Sequence, residues 1–307
     1  MASELNLPSG RRLAVLGAPV SHSKSPALHL AAYRQLNLDW EYTTVDVAPG
    51  GLGAFLGTLG PEWRGLSLTM PFKHEALPLV SDADRVAQAT GAANTLLLGD
   101  PAGGGGPRPV SGFNTDVAGI VRALADAGIT AVSSVVVLGA GATAASAVMA
   151  AAELGAEWVE LLVRTPAKAA PLVGLGRSLG VVVIVSDLGS VPAADRTADL
   201  VISTLPGGTS LGVEFPAALR TTAALLDVTY APWPSALAAS WRDAGGTVLS
   251  GLGMLLHQAL IQVRVFVGGD PFAPLPDEDA VLQAMRDALG EDPTRGPDAG
   301  PAAAVGG

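Results

Sequence analysis

A chain of 307 residues is long enough for two domains of ordinary size, and 49% hydrophobic content with only 5% aromatic implies cores of small and branched side chains. The 28 acidic residues outweigh 18 basic ones, giving a formal charge of −10 without a basic stripe, which argues against nucleic acid and leaves anionic ligands to local cations. The absence of cysteine excludes disulfides, thiolate catalysis and thiolate metal sites, and fits a reducing cytoplasm.

Residues 1–10 lack the cationic start and apolar stretch of a signal peptide. A strand is expected at 11–17, then a helix at 25–36 with Ser25 at its N-cap and Pro26 at the first helical position. Strands at 40–47 and 66–70 alternate with helices at 52–59 and 72–80, which implies a mainly parallel sheet. Glycines 103–106 mark 99–109 as a flexible hairpin loop over solvent.

A second series follows Asp116, with strands expected at 135–138, 159–163, 181–185, 200–204, 224–228 and 247–249. Six strands with intervening helices match a Rossmann-type doubly wound domain, so the fold class is α/β in two domains. Residues 134–152 are apolar enough to pass for a membrane span. A glycine turn after a β-branched run makes them a buried strand, turn and helix instead, and no membrane is expected. An amphipathic helix at 254–267 comes too late for that sheet and is expected to pack back on the first domain. From about residue 290 the chain is rich in Pro, Gly and Ala without periodicity, and disorder is expected there.

The run Val135-Val-Val-Leu138 leads into Gly139-Ala140-Gly141-Ala142-Thr143-Ala144, a G-x-G-x-x-A pattern between strand and helix. Gly139 permits the tight turn, Gly141 lets the backbone approach a pyrophosphate, and Ala144 leaves room for helix–strand packing. The next strand ends in Val163-Arg164-Thr165 with Lys168 soon after, where an NAD site usually carries an acid. Two cations flanking a hydroxyl suit a 2′-phosphate, so NADP(H) is the expected cofactor, against the alternative of a basic helix start facing water. Four histidines and scattered carboxylates show no metal-ligand spacing, and no metal is expected.

Several separated segments resemble, in order, those of the shikimate dehydrogenase family. They include Gly17-Ala-Pro-Val-Ser-His-Ser-Lys-Ser-Pro26-Ala-Leu-His29, Ser67-Leu-Thr-Met-Pro-Phe-Lys73, Gly91-Ala-Ala-Asn-Thr95 and Gly112-Phe-Asn-Thr-Asp116. Gly139-Ala-Gly141, Asp227-Val-Thr-Tyr-Ala-Pro232 and Gly251-Leu-Gly-Met-Leu-Leu-His-Gln258 follow, so the likeness spans about residues 11–268. The resemblance implies NADPH-dependent reduction of 3-dehydroshikimate to shikimate in aromatic amino-acid biosynthesis. It also implies a discontinuous substrate-binding domain at 1–115 and 252–288, a dinucleotide-binding domain at 116–251, and a tail at 289–307.

Carried over, Lys73 and Asp116 become the catalytic pair, and Ser23 and Ser25 hold the substrate carboxylate. Thr69, Asn94 and Gln258 meet the ring hydroxyls, Tyr230 closes the pocket, and Thr204 and Gly251 join the cofactor contacts. Ketone reduction puts negative charge on oxygen, which a nearby ammonium or proton donor stabilises. The residues alone leave plainer readings open: Ser25 as a helix cap, Lys73 and Tyr230 as surface groups, Asp116 as a capping carboxylate, Gln258 as a boundary residue. They also leave open which of Lys73 and Asp116 moves the proton. The chain departs from the family's usual residues at Ser67, Val163 and Ser203, each commonly asparagine, and at Ala145, commonly arginine.

Competing expectations are a quinate or aminoshikimate dehydrogenase using NAD or NADP, a non-catalytic ligand-binding regulator, and a methylenetetrahydrofolate dehydrogenase. The carboxylate-binding serines and the Asn-Thr-Asp segment fit the last poorly. The partner expected is a small-molecule substrate, with the chain a monomer or a homodimer.

Overall fold

Two apolar runs, Leu13-Ala-Val-Leu16 and Val135-Val-Val-Leu138, are buried along their whole length, as strands covered on both faces must be. In the computed structural model, which describes residues 9–100, 108–190, 197–212 and 214–290, they are inner strands of two different sheets. The chain divides into two units: residues up to Ile120 together with Leu255–Leu289, and Val121–Met254.

The first unit begins with β1 (Arg12–Gly17), α1 (Ser25–Gln35), β2 (Glu41–Asp46), α2 (Leu52–Leu56), β3 (Trp63–Leu68) and α3 (Phe72–Glu75). It continues through β4 (Asp82–Ala83), α4 (Arg85–Thr90), β5 (Thr95–Leu98) and β6 (Val110–Phe113) into α5 (Asp116–Asp126). The sheet order is β2-β1-β3-β5-β6-β4, parallel except where β5 runs against β3 and β6. Its core gathers Leu16, Leu66, Leu68, Phe72 and Leu96.

Two local expectations shift. Helix α1 starts one residue early, with Lys24 at the N-cap, so Ser25 is the first helical residue and not the cap. Ser23 Oγ instead accepts the Ser25 N–H at 3.2 Å. The helix expected at 72–80 stops after one turn at Glu75 and gives way to a 3-10 turn at Leu77–Leu79. Pro78 lacks an N–H and disfavours helical backbone at the residue before it. Most of the loop expected at 99–109 and the tail beyond 290 lie outside the described residues.

The second unit holds β7 (Ser134–Leu138), α6 (Ala142–Glu153), β8 (Trp158–Val163), α7 (Ala170–Leu179), β9 (Val182–Asp187) and β10 (Leu200–Ser203). After them come α8 (Ala217–Thr222), β11 (Ala224–Asp227), α9 (Ala236–Asp243) and β12 (Val248–Ser250). All its strand pairings are parallel, in the order β12-β11-β10-β7-β8-β9. That is the doubly wound order, which reverses direction between β7 and β10, where such sheets bind ligands. The fully buried Trp241 closes the core beneath it and donates its indole N–H to Ala223 O at 3.0 Å.

Two helices end the described chain, α10 (Gly251–Gly268) and α11 (Glu278–Leu289). Among the described residues α10 is the one helix long and apolar enough to cross a membrane, and most of it is buried in the protein. From Leu255 onward it belongs to the first unit. There Arg264 pairs with Glu278 at the start of α11, which packs on α1.

Inside the first unit the ring of His29 is fully buried, stacked on Tyr42 with centroids 4.0 Å apart. Its Nδ1–H donates to Ser25 O at 2.9 Å, since a carbonyl can only accept. Burial lowers its pKa from 6.5 to about 4. The unfolded chain therefore takes up a proton here below pH 6.5 that the folded chain refuses down to about 4. The stability tied to the neutral ring is complete above pH 6.5 and falls as pH drops toward 4, by about 3 kcal/mol in all. His29→Phe is expected to flatten the melting temperature against pH across this window. An unchanged slope in the variant, followed by circular dichroism, would contradict the assignment.

Candidate active site

The register of three neighbouring strands assembles the site. Ser67 of β3 lies opposite Thr95 of β5, and Thr95 lies opposite Phe113 of β6. The segment after β3, the residue before β5 and the segment after β6 therefore meet at one end of the sheet. These positions carry Lys73, Asn94 and Asp116. Lys73 Nζ donates to Asp116 Oδ2 at 2.5 Å, and Asn94 Nδ2 donates to Asp116 Oδ1 at 2.8 Å.

Asn94 is almost wholly buried, and its Oδ1 accepts the Thr115 N–H at 2.9 Å. That bond fixes which end of the amide points at the carboxylate. The same Nδ2 reaches Gln258 Oε1 at 2.8 Å. Asp116 opens α5, with its own N–H held by Asn114 Oδ1 at 2.9 Å, and a helix start favours a carboxylate. The side chain of Asp116 is 2% exposed and that of Lys73 14%, so the ammonium is the member of the pair open to a ligand.

A buried layer lies behind. Tyr42 Oη donates to Ser67 Oγ at 2.6 Å, Ser67 Oγ donates to Gln262 Oε1 at 2.8 Å, and Gln262 Nε2 donates to Asn94 O at 3.2 Å. Sequence reasoning missed Gln262. Its signal was available: it sits four residues after Gln258, on the same face of an apolar helix.

Ser23 and Ser25 lie where the chain leaves β1 for α1, Ser25 buried and Ser23 half-buried. Thr69 follows β3 directly, and its N–H donates to Leu16 O of β1 at 2.9 Å. All three thus sit past the carboxyl ends of adjacent parallel strands.

In the second unit Gly139 has φ +110°, and a Cβ there would lie 2.5 Å from Thr204 Oγ1, so both conformation and space demand glycine. Thr204 Oγ1 donates to Leu138 O at 2.7 Å. Gly141 caps α6, with open space above it and Ala142 and Thr143 in the first turn. Together with Ala140 they form a strand–turn–helix turn of the kind that suits a phosphate on backbone N–H groups. Arg164, Thr165 and Lys168 are exposed just past the tip of β8. The residues present therefore fit a phosphorylated dinucleotide.

Gly251 opens α10, where a Cβ would meet Val228 O at 2.0 Å, so close packing accounts for this glycine. Tyr230 is half-buried in the segment after β11. Among the described residues no cluster of three or more His, Asp or Glu could hold a metal.

The family model for the shikimate dehydrogenase substrate binding domain matches residues 15–96. A shikimate dehydrogenase (NADP+) of Moorella thermoacetica is 35% identical over 94% of this chain and 96% of its own length. Among solved structures, Mycobacterium tuberculosis shikimate dehydrogenase is 38% identical with a TM-score of 0.76, covering 90% of this chain and all but 1% of its own. The Thermus thermophilus shikimate 5-dehydrogenase, solved in complex with NADP(H) and shikimate, is 31% identical with a TM-score of 0.72 over 91% of this chain.

Gln262→Leu leaves the Asn94 carbonyl and the Ser67 hydroxyl each short of one buried partner. It is expected to cost about 1–3 kcal/mol of stability, and Tyr42→Phe, which removes only the outermost hydroxyl, about 1 kcal/mol. Denaturant unfolding of both variants and the double variant checks the linkage, because independent sites would give additive losses.

Proposed function

The chain belongs to the shikimate dehydrogenase family, and we propose that it catalyses the reversible, NADPH-dependent reduction of 3-dehydroshikimate to shikimate. The observation that carries this reading is the 2.5 Å contact between Lys73 and Asp116, two side chains brought together from separate strand ends.

The first unit supplies the substrate groups. Ser23 and Ser25 are hydroxyl donors for the carboxylate. Thr69, Asn94 and Gln258 offer the donors and acceptors that a polyhydroxylated ring requires. Asn94 already spans Asp116 and Gln258, so the ring hydroxyls meet a preset array.

The second unit supplies the cofactor groups. The Gly139 N–H is held by Leu162 O at 3.0 Å, so the backbone N–H groups from Ala140 to Thr143 serve the pyrophosphate, and Arg164, Thr165 and Lys168 take the 2′-phosphate. When bound, the reduced nicotinamide supplies a hydride. Tyr230, Thr204 and Gly251 complete the proposed contacts.

Lys73 is the proton donor of the pair. Both oxygens of Asp116 already accept hydrogen bonds, Oδ2 from Lys73 and Oδ1 from Asn94. The ammonium carries three N–H groups, so one can hold Asp116 while another meets the substrate ketone. As negative charge grows on that oxygen, the ammonium stabilises it and then gives up a proton. Asp116 aims the ammonium through the 2.5 Å contact. In the oxidative direction the neutral amine takes the proton back.

Lys73→Ala is expected to lower kcat by about 10²–10⁴ while shikimate still binds, as checked by turnover beside calorimetric titration. Arg164→Ala is expected to raise the KM for NADPH about tenfold and that for NADH by clearly less, because NADH lacks the 2′-phosphate. Absorbance at the reduced-nicotinamide band, with shikimate and quinate each paired with NADP+ and NAD+, tests the reaction itself. Faster turnover of quinate with NAD+ would overturn the assignment.

A further inference from the structure

Past the tips of β8 and β9 the second unit has a cleft lined by Arg164, Asp187, Leu188, Leu205 and Leu211. Its volume of about 240 Å3 falls below the roughly 300–1,000 Å3 that houses a drug-sized ligand, so it suits one ring system and not a whole dinucleotide. Val163 and Asp187, the last residues of β8 and β9, are paired in the sheet, and Arg164 follows Val163 directly. Register therefore sets a guanidinium position and a carboxylate position side by side at the mouth of the cleft.

The carboxylate is anchored on one side only. Asp187 Oδ1 accepts the Gly189 N–H at 2.7 Å, while Oδ2 has no partner among the described residues. Nor does an ion pair join Asp187 to Arg164 there. A planar guanidinium and leucine side chains make walls for a flat aromatic face. A free carboxylate oxygen beside them asks for an N–H or O–H donor.

Adenine offers a flat face and a 6-amino group with two N–H donors. On the premise that the second unit takes NADP(H), we propose that Asp187 Oδ2 accepts a hydrogen bond from the adenine 6-amino group. Asp187 is then the residue by which this chain reads the base of its dinucleotide, while Arg164 serves the ring face and the 2′-phosphate.

The test exchanges adenine for hypoxanthine, which carries a carbonyl oxygen at the 6-position. With shikimate as substrate, the wild-type KM for deamino-NADP+ is expected to exceed that for NADP+ about tenfold. Asp187→Ala should bring the ratio of the two KM values close to one. Asp187→Asn, whose amide can present either end, should also narrow it. Thermal melting checks that the variants fold, because Asp187 also holds the Gly189 N–H; should Asp187→Ala not fold, the wild type and Asp187→Asn decide.

A wild type indifferent to the base, or a ratio unchanged in the variants, overturns the proposal. So does an equal gain in affinity for both dinucleotides, which would make Asp187 a through-space charge alone. Should the wild type bind neither NADPH nor deamino-NADPH, followed by the fluorescence of the reduced nicotinamide, the NADP(H) reading falls first and this one with it. A normal KM for NADP+ without base discrimination sinks Asp187 alone.

Discussion

One side-chain amide organises the first unit. Asn94 has its carbonyl oxygen pinned by the Thr115 backbone, so its nitrogen is turned to the side where Asp116, Gln258 and the Thr115 hydroxyl lie. Every proposed role at this site depends on that orientation. With the amide turned over, its oxygen would face the Asp116 carboxylate, two acceptors in contact without a proton between them. The carboxylate would then lose one of its two supports, and Lys73 would lose a fixed partner. Burial raises the cost of such an error, because an unsatisfied polar atom has no water to turn to.

Around this amide the protein uses sheet register for placement and helix α10 for enclosure. The register fixes Lys73, Asn94 and Asp116 to within a side chain's reach of one another, although 22 and 43 residues separate Asp116 from the other two. The helix then lays Gln258 and Gln262 along one face, the first against the Asn94 side chain and the second against its backbone. A chain with a net charge of −10 thus concentrates its few needed cations at two points, Lys73 in one unit and the Arg164–Lys168 segment in the other. Local geometry outweighs the overall sign of the protein at such contact distances, where screening by salt is weak.

The second unit was readable from the sequence nearly strand by strand. Parallel strands covered on both faces leave continuous apolar runs, as in Val135-Val-Val-Leu138 and Leu200-Val-Ile202, and those runs stand out. The first unit was half hidden. Thr95–Leu98 and Val110–Phe113 are four residues each, one containing a glycine, and Asp82–Ala83 only two, so no periodicity can develop. Their flanking residues drew notice as chemistry while the strands passed unseen. Helix α11 was missed too, although Val281, Met285 and Leu289 follow the helical repeat. Ser67 shows a different limit: its residue type reveals a hydroxyl, but only coordinates show that Tyr42 and Gln262 occupy it.

The tight turn at Gly139 also determines what its neighbour can say to a ligand. A threonine hydroxyl owns a single proton, and Thr204 has given it to the carbonyl of Leu138. Toward the outside it presents lone pairs alone. In the vocabulary of recognition it can listen for a proton but cannot offer one, so anionic oxygens must find their welcome among the backbone amides beside it, and sugar hydroxyls or an amide are the visitors it suits.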